Sequence, residues 1–401
     1  VELFLPKNFF SKNDMTTGES PLLSDHIVSS KLCDPKVKQY SGYLKIAPDA
    51  NLFFWFFESH KNPKNSPLTI WFSGGPGYSS MFALFQEIGP CKVDNYMNQS
   101  RLSENSWNKV TNLLFIDQPI GAGFSYGALP VMAKLIIQNN NLIKTGKVKD
   151  LIPINLKSCG IGVAYVDPPI QAGSFVNFAE NNTYKPLLSP QLIEEMRNKW
   201  TICKHNIDEC YKTDTAHDCN AATIACSEDY NGIFIQNSGV SVYDIRTKNG
   251  LPDPVYKKYL DDPFVMESIG VNTTEITSYL EINGEIYARF SKYGDLIYST
   301  KPQVEFLLHN NIPIMFFTGD ADYICNWFGG IEVAESLKWE RHYEFKNTVF
   351  QEWIVDGVKA GEIRKVKNLW FVKVFESGHF VPYSQPRNSF VLFEKWIESL
   401  N

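Results

Sequence analysis

Between Gln39 and Phe57 the apolar residues fall into two strand-like runs. Tyr40-Ser41-Gly42-Tyr43-Leu44-Lys45-Ile46 and residues 51–57 are separated by Pro48-Asp49-Ala50, which predicts an antiparallel hairpin. A polar linker, Lys61-Asn62-Pro63-Lys64-Asn65-Ser66-Pro67, leads into Leu68-Thr69-Ile70-Trp71-Phe72, whose β-branched and aromatic content suits a buried strand. Gly74-Gly75-Pro76-Gly77 ends it abruptly. The next buried strand is Asn112-Leu113-Leu114-Phe115-Ile116-Asp117, closed by Gln118-Pro119 and Gly121-Ala122-Gly123. After Gly127 the period becomes helical. Leu129, Met132, Leu135, Ile136 and Leu142 fall near a 3.6-residue stripe, with Pro130 tolerable in the first turn.

From about Pro169 the composition shifts toward Asn, Thr, Asp and Cys with shorter apolar segments, until Lys301. This predicts an inserted cap over residues 169–301, interrupting a core made of 1–168 and 302–401. Strand character returns at Ile312-Pro313-Ile314-Met315-Phe316-Phe317 and Trp370-Phe371-Val372-Lys373-Val374-Phe375. A glycine-containing loop follows each run, carrying Asp322 in one case and His379 in the other. Open α/β sheets place their ligands at such strand ends. The chain closes with an amphipathic helix from Arg387 to Leu400, expected to bury Phe390, Phe393, Trp396 and Ile397. No internal repeat or low-complexity tract is present.

The composition belongs to an ordinary globular protein: 401 residues, 44% hydrophobic, 14% aromatic. Lys+Arg number 38 against Asp+Glu 44, and this net charge of -6 argues against a nucleic-acid partner. The most apolar run, Leu52-Phe53-Phe54-Trp55-Phe56-Phe57, is too short to span a bilayer and ends at Glu58, so no membrane anchor is expected. The chain starts at Val1 with no leader-like segment, which reads as a targeting peptide already removed or never included. Cys203, Cys210, Cys219 and Cys226 cluster in a polar stretch with spacing suited to two disulfides. Their intervals are wider than the paired cysteines of common zinc sites, so no metal is expected. Disulfides imply an oxidising compartment, and sequons at Asn98, Asn181 and Asn272 agree with secretory passage.

Candidate chemistry begins at Ser73-Gly74-Gly75-Pro76-Gly77-Tyr78-Ser79-Ser80, where a glycine pair after a strand leaves bare backbone N–H groups for a developing negative charge. A donor loop after an early strand, an acid after one late strand and a histidine after the next follow the chain order of an α/β-hydrolase. The motifs are Tyr40-Ser41-Gly42-Tyr43, the glycine loop, Asp117-Gln118-Pro119 with Gly123-Phe124-Ser125-Tyr126, Gly319-Asp320-Ala321-Asp322, and Gly378-His379-Phe380-Val381-Pro382. In this order, and over nearly the whole chain, they resemble the serine carboxypeptidases of the carboxypeptidase Y type. The resemblance implies an α/β-hydrolase fold with an inserted cap. It implies that His379 is the general base and that Asp322 orients and stabilises its imidazolium. Asp320 is the rival carboxylate and could instead cap the turn. Gly75 is the implied oxyanion-hole donor.

The same resemblance implies a hydrogen-bonded clamp on the substrate's free carboxylate. Gly74 and Glu87 match two of its positions, and Ser73 stands where the family has Asn, keeping a hydroxyl but losing an amide donor. A Glu facing a carboxylate works only if one of the two is protonated, so the implied working range is acidic. Glu87 alone would read as an exposed helix charge. Cys325 resembles an unpaired thiol near the substrate pocket, with a buried structural cysteine as the alternative. The family pairing implied for the cap is Cys203 with Cys226 and Cys210 with Cys219. Tyr78 stands where the family has a disulfide cysteine; Cys33, Cys91 and Cys159 have no partner legible in the sequence.

One family segment is absent. Where relatives continue with a helix, a buried strand and a Gly-Glu-Ser-Tyr-x-Gly elbow, Gly127 runs straight into Ala128-Leu129-Pro130-Val131. This predicts the loss of one central strand, the nucleophilic serine and the second clamp Glu, leaving the neighbouring ladder groups exposed. Gly123-Phe124-Ser125-Tyr126-Gly127 matches G-x-S-x-G, but no strand feeds directly into Ser125. The function implied is a serine-type carboxypeptidase releasing C-terminal residues from peptides or proteins, without a cofactor, in the vacuole, lysosome or outside the cell. The alternative is an inactive homologue that binds peptides or proteins. Subunit number is not legible in the sequence.

Overall fold

β-Branched and aromatic runs become strands wherever a partner covers them, and among the described residues they form a four-stranded, a five-stranded and a two-stranded sheet. The computed structural model describes residues 27–47, 50–93, 99–126, 154–251 and 255–400. The sequon at Asn98 and the helix expected over 129–142 lie outside the described residues. By contacts the chain divides into two units, Val1–Leu156 with Asp253–Ile286, and Lys157–Pro252 with Tyr287–Asn401.

The first unit contains β1 (Gln39–Ala47), β2 (Ala50–Phe57), β3 (Leu68–Phe72), β4 (Cys91–Val93), β5 (Ser100–Leu102) and β6 (Asn112–Ile116). Its main sheet has the order β1-β2-β6-β3. β1 and β2 pair antiparallel from Gln39 opposite Phe57, as the hairpin pattern predicts. β6 runs antiparallel to β2 and parallel to β3. The run Phe53 to Phe57 is buried throughout because both faces of β2 are covered. On one face Phe54 and Phe56 pack with Leu44, Leu114 and Ile116. On the other, the Phe53 ring meets Phe124 at 5.1 Å and Trp55 meets Phe85 at 6.2 Å. β3 departs from expectation. Leu68 is 43% exposed and the rest of the strand only half-buried, since among the described residues it pairs on one side alone. A disulfide between Cys33 and Cys91, invisible to sequence reasoning, ties the segment before β1 to β4.

The second unit holds β7 (Cys159–Gly162), β8 (Ile314–Gly319), β9 (Gln351–Val355), β10 (Val358–Val366) and β11 (Leu369–Val374), in the order β7-β8-β11-β10-β9. β8 is parallel to both neighbours, while β9, β10 and β11 form an antiparallel meander. Helices Pro168–Asn181, Pro190–Thr213, Ala216–Ile224 and Asn231–Asn237 share a core of Phe175, Phe178, Met196, Phe234 and Tyr323. The first two start at side-chain caps, Asp167 accepting from the Ile170 N–H and Ser189 from the Leu192 N–H, each followed by proline at the first helical position. Cys203–Cys226 and Cys210–Cys219 are bonded within that core. The closing helix is Pro386–Glu398; it buries Phe390, Leu392, Phe393 and Trp396, while Ile397 is half-buried, one position off the inward stripe.

Candidate active site

In the second unit, β8 and β11 are parallel neighbours with Gly319 opposite Val374, so the loops leaving them emerge side by side. Gly319 makes their contact possible: a Cβ there would lie 2.2 Å from the Ser377 carbonyl oxygen. The loops are laced together by Ala321 N–H to Ser377 O at 2.8 Å and Asp320 N–H to Val374 O at 3.0 Å. Gly378 likewise allows a close approach to Tyr243, whose carbonyl accepts the His379 N–H at 2.7 Å. This fixes the backbone from which the imidazole projects.

His379 Nδ1 lies 2.9 Å from Asp322 Oδ2. The Asp322 carboxylate is fully buried, its Oδ1 accepts the Cys325 N–H at 3.3 Å, and the His379 side chain is 20% exposed. Tyr243 packs edge-on to the imidazole at 5.3 Å. Burial works against an imidazolium here, yet the Asp322 charge and hydrogen bond, helped by Cys325, hold His379 well above its ordinary value. The Cys325 thiol is pushed up by burial, against the pull of His379. Asp320 points elsewhere: it accepts from Tyr184 Oη at 2.9 Å and from the Ser377 N–H at 3.3 Å, and burial raises its carboxyl to about 6. Of the two rival carboxylates, Asp322 is the one hydrogen-bonded to the histidine.

The glycine loop belongs to the first unit. Gly74 and Gly75 are exposed, and Gly75 has a φ of +129°, where a Cβ would press on Gly77 N at 3.0 Å. Ser73 is buried; its N–H donates to Ser80 Oγ at 3.0 Å and its Oγ accepts from Trp71 Nε1 at 3.2 Å. Glu87 is 8% exposed at the end of a π-helical turn, Ala83–Glu87, so it is not a solvated helix charge. Tyr78 Oη donates to Glu281 Oε1 at 3.1 Å, and Glu281 is paired with Lys257 at 3.2 Å. Ser79 N–H to Glu281 O and Asn283 N–H to Gly77 O, both 2.9 Å, complete a noncovalent seam along the loop.

Asp117, quoted in the sequence only as part of a motif, is the hub beneath this loop. Its buried carboxylate accepts from Ser79 Oγ at 2.6 Å, Ser80 N–H at 2.8 Å and Phe124 N–H at 3.0 Å, while burial raises it to about 6. Gly123 has a φ of +57°, and a Cβ there would collide with Asp117 Oδ2 at 1.9 Å, so both the backbone and the carboxylate require glycine. Ser125 is occupied structurally: it is 2% exposed, donates to Asp117 O and accepts the Phe53 N–H, both at 2.7 Å. Nothing in the sequence marked Glu281, Tyr184 or Tyr243 for these contacts, since Tyr78, Asp320 and His379 lie more than a hundred residues from them along the chain. Of the sequons described, Asn181 is exposed and Asn272 half-buried, with Thr274 Oγ1 donating to Asn272 Oδ1 at 2.6 Å. Asp322, Cys325 and His379 are the group among the described residues with donor atoms close enough to hold a metal ion.

The model of the serine carboxypeptidase family, Peptidase S10, matches residues 30–129 and 127–399. Carboxypeptidase S1 of Penicillium janthinellum is 32% identical over 420 residues, covering 93% of this chain and 98% of that protein. Carboxypeptidase Y of Komagataella phaffii is 31% identical over 443 residues, covering 98% and 84%. Among solved structures, a prohormone-processing carboxypeptidase of Saccharomyces cerevisiae, Kex1(delta)p, superposes with a TM-score of 0.76 at 21% identity, covering 94% of this chain and 95% of that one. That likeness identifies the fold as an α/β-hydrolase. With both stretches of the family model spanning nearly all of its length, the chain belongs to the serine carboxypeptidase family.

Proposed function

We propose that this framework serves a serine carboxypeptidase that releases C-terminal residues from peptides through an acyl-enzyme at acidic pH. The observation that carries the reading is the His379 Nδ1 to Asp322 Oδ2 contact of 2.9 Å, from a buried carboxylate to a partly exposed imidazole. In this reading His379 takes the serine proton and returns it to the leaving amine, and Asp322 holds the ring in the tautomer that leaves Nε2 free for the transfer. Gly75 donates its N–H to the oxyanion, while Ser73, Gly74 and Glu87 receive the substrate's terminal carboxylate. A buried Glu87 beside a carboxylate has to share a proton with it, which favours acid. His379 pulls the other way, because an imidazole held above its ordinary value must lose its proton before it can act as a base.

The family match falls into two stretches meeting at 127–129, and the alignment with the Penicillium protein spans 420 positions against 401 residues here. The junction at 127–129 supports the absence there of a family segment carrying strand, elbow and serine, and the longer alignment agrees with a shorter chain. The buried, doubly bonded Ser125 favours a second reading for a chain without that segment, a non-catalytic homologue that binds peptide or protein C-termini. We assign residues 169–301 to the cap on the composition shift, and the secretory route to a vacuole, lysosome or the cell exterior on the three disulfides. No helix among the described residues is long and apolar enough to cross a membrane.

A fluorophosphonate probe separates the two readings. A labelled serine located by peptide mapping, together with release of C-terminal amino acids at acidic pH, supports the enzyme. No label and no release overturns it in favour of the binding homologue.

A further inference from the structure

The side chains of Asp322, Cys325 and His379 offer one carboxylate oxygen, one sulfur and one ring nitrogen, all within 4.8 Å of one another. We propose that these three residues form an inhibitory binding site for a zinc-class divalent cation. Two donors come from one turn, already closed by the Cys325 N–H to Asp322 Oδ1 hydrogen bond of 3.3 Å. The third comes from the loop after β11, which β8 holds alongside in fixed parallel register. The donors are therefore placed by packed strands, with little side-chain freedom left to freeze on binding.

The spacing suits a small cation. His379 Nδ1 and Asp322 Oδ2 are 2.9 Å apart. Two such ligands of a tetrahedral zinc ion stand roughly 3.3 Å apart when the bonds are about 2.0 Å. The pair need open only slightly to admit the ion. The donor set selects the class of cation: sulfur with imidazole and one carboxylate suits zinc, whereas calcium and magnesium require oxygen shells. Three protein ligands leave the fourth position to water. On coordination the Cys325 thiol proton passes to solvent and the Nδ1 hydrogen of His379 is exchanged through solvent for one on Nε2, so that a thiolate, a carboxylate and a neutral imidazole bind the ion.

Binding itself does not depend on the peptidase reading. Its consequence does: an imidazole bound to the cation through Nδ1 carries its hydrogen on Nε2 and cannot accept the serine proton, so a bound cation switches off the proposed base reversibly.

The test uses the whole chain with its disulfides intact, titrated with Co²⁺ as a spectroscopic stand-in for Zn²⁺. The expected result is one Co²⁺ per chain, with a thiolate-to-metal charge-transfer band that Zn²⁺ abolishes. Cys325→Ser should remove the band, and both Cys325→Ser and His379→Ala should weaken binding roughly 10- to 100-fold or more. A second measurement needs no variant: Zn²⁺ should slow iodoacetamide alkylation of Cys325 at least about tenfold while leaving the other free thiol, Cys159, unaffected. The proposal is overturned if no charge-transfer band forms, if both variants bind as tightly as the natural chain, or if Zn²⁺ leaves Cys325 alkylation unchanged. None of these readouts uses peptide hydrolysis, so a chain silent toward fluorophosphonate still tests the site.

Discussion

Asp320 and Asp322 stand two positions apart on one loop, yet their surroundings give them different work. Asp320 is spent on Tyr184 and the Ser377 N–H, whereas Asp322 faces the imidazole of His379. The hydrolase pattern favoured Asp322; the reason, a tyrosine from a loop more than a hundred residues earlier that occupies Asp320, was not legible. The Asp322–His379 pair makes a testable statement about pH. With its folded value above the ordinary ~6.5, His379 contributes stability that is complete below that pH and is lost as pH rises through the folded value. We expect an NMR titration of the His379 ring to show a midpoint above 6.5. Asp322→Asn should lower it, because burial then acts without the opposing charge. An unchanged midpoint in the variant would show that Asp322 does not set it.

Strands were legible where a local alternation or an apolar run met its turn residues, as in β1, β2, β6, β8 and β11. Which strand ends a sheet was not. Leu68-Thr69-Ile70-Trp71-Phe72 has the composition of a strand covered on both sides, but β3 has one ladder partner among the described residues, and Leu68 is 43% exposed. Leu114 in the central β6 is 5% exposed. Leu68→Lys should therefore cost less than about 0.5 kcal/mol, as for other exposed positions. Leu114→Lys should cost about 3–5 kcal/mol or prevent folding, since it buries an unpaired charge. Urea unfolding checks both, and equal costs would contradict the difference in cover between the two positions. The β9–β10 hairpin carries its own turn signal. Asp356-Gly357 is a two-residue turn with φ of +50° and +81°, the combination that Asp-Gly favours between antiparallel strands.

Taken together, the buried ionisable groups tilt the protein toward acid. Asp117 and Asp320 are both raised by burial to about 6, and His379 is raised as well. A carboxyl with a raised folded value gives stability that is complete below ~4 and lost as pH climbs through about 6, on the order of 3 kcal/mol each. His379 has the same sign. The melting temperature should be higher at pH 5 than at pH 7.5, and Asp117→Asn should flatten that dependence. A maximum at neutral or alkaline pH would contradict it. Consecutive residues alone carry the strands, the glycine turns, the motif order and with them the family, because period and turn chemistry are local properties. Tertiary structure decided which carboxylate reaches His379, that Ser125 is buried and bonded, that β3 has one ladder partner among the described residues, and that Cys33 joins Cys91. Those outcomes depend on what packs against each residue, and the partners are contributed by chain segments tens to hundreds of positions away.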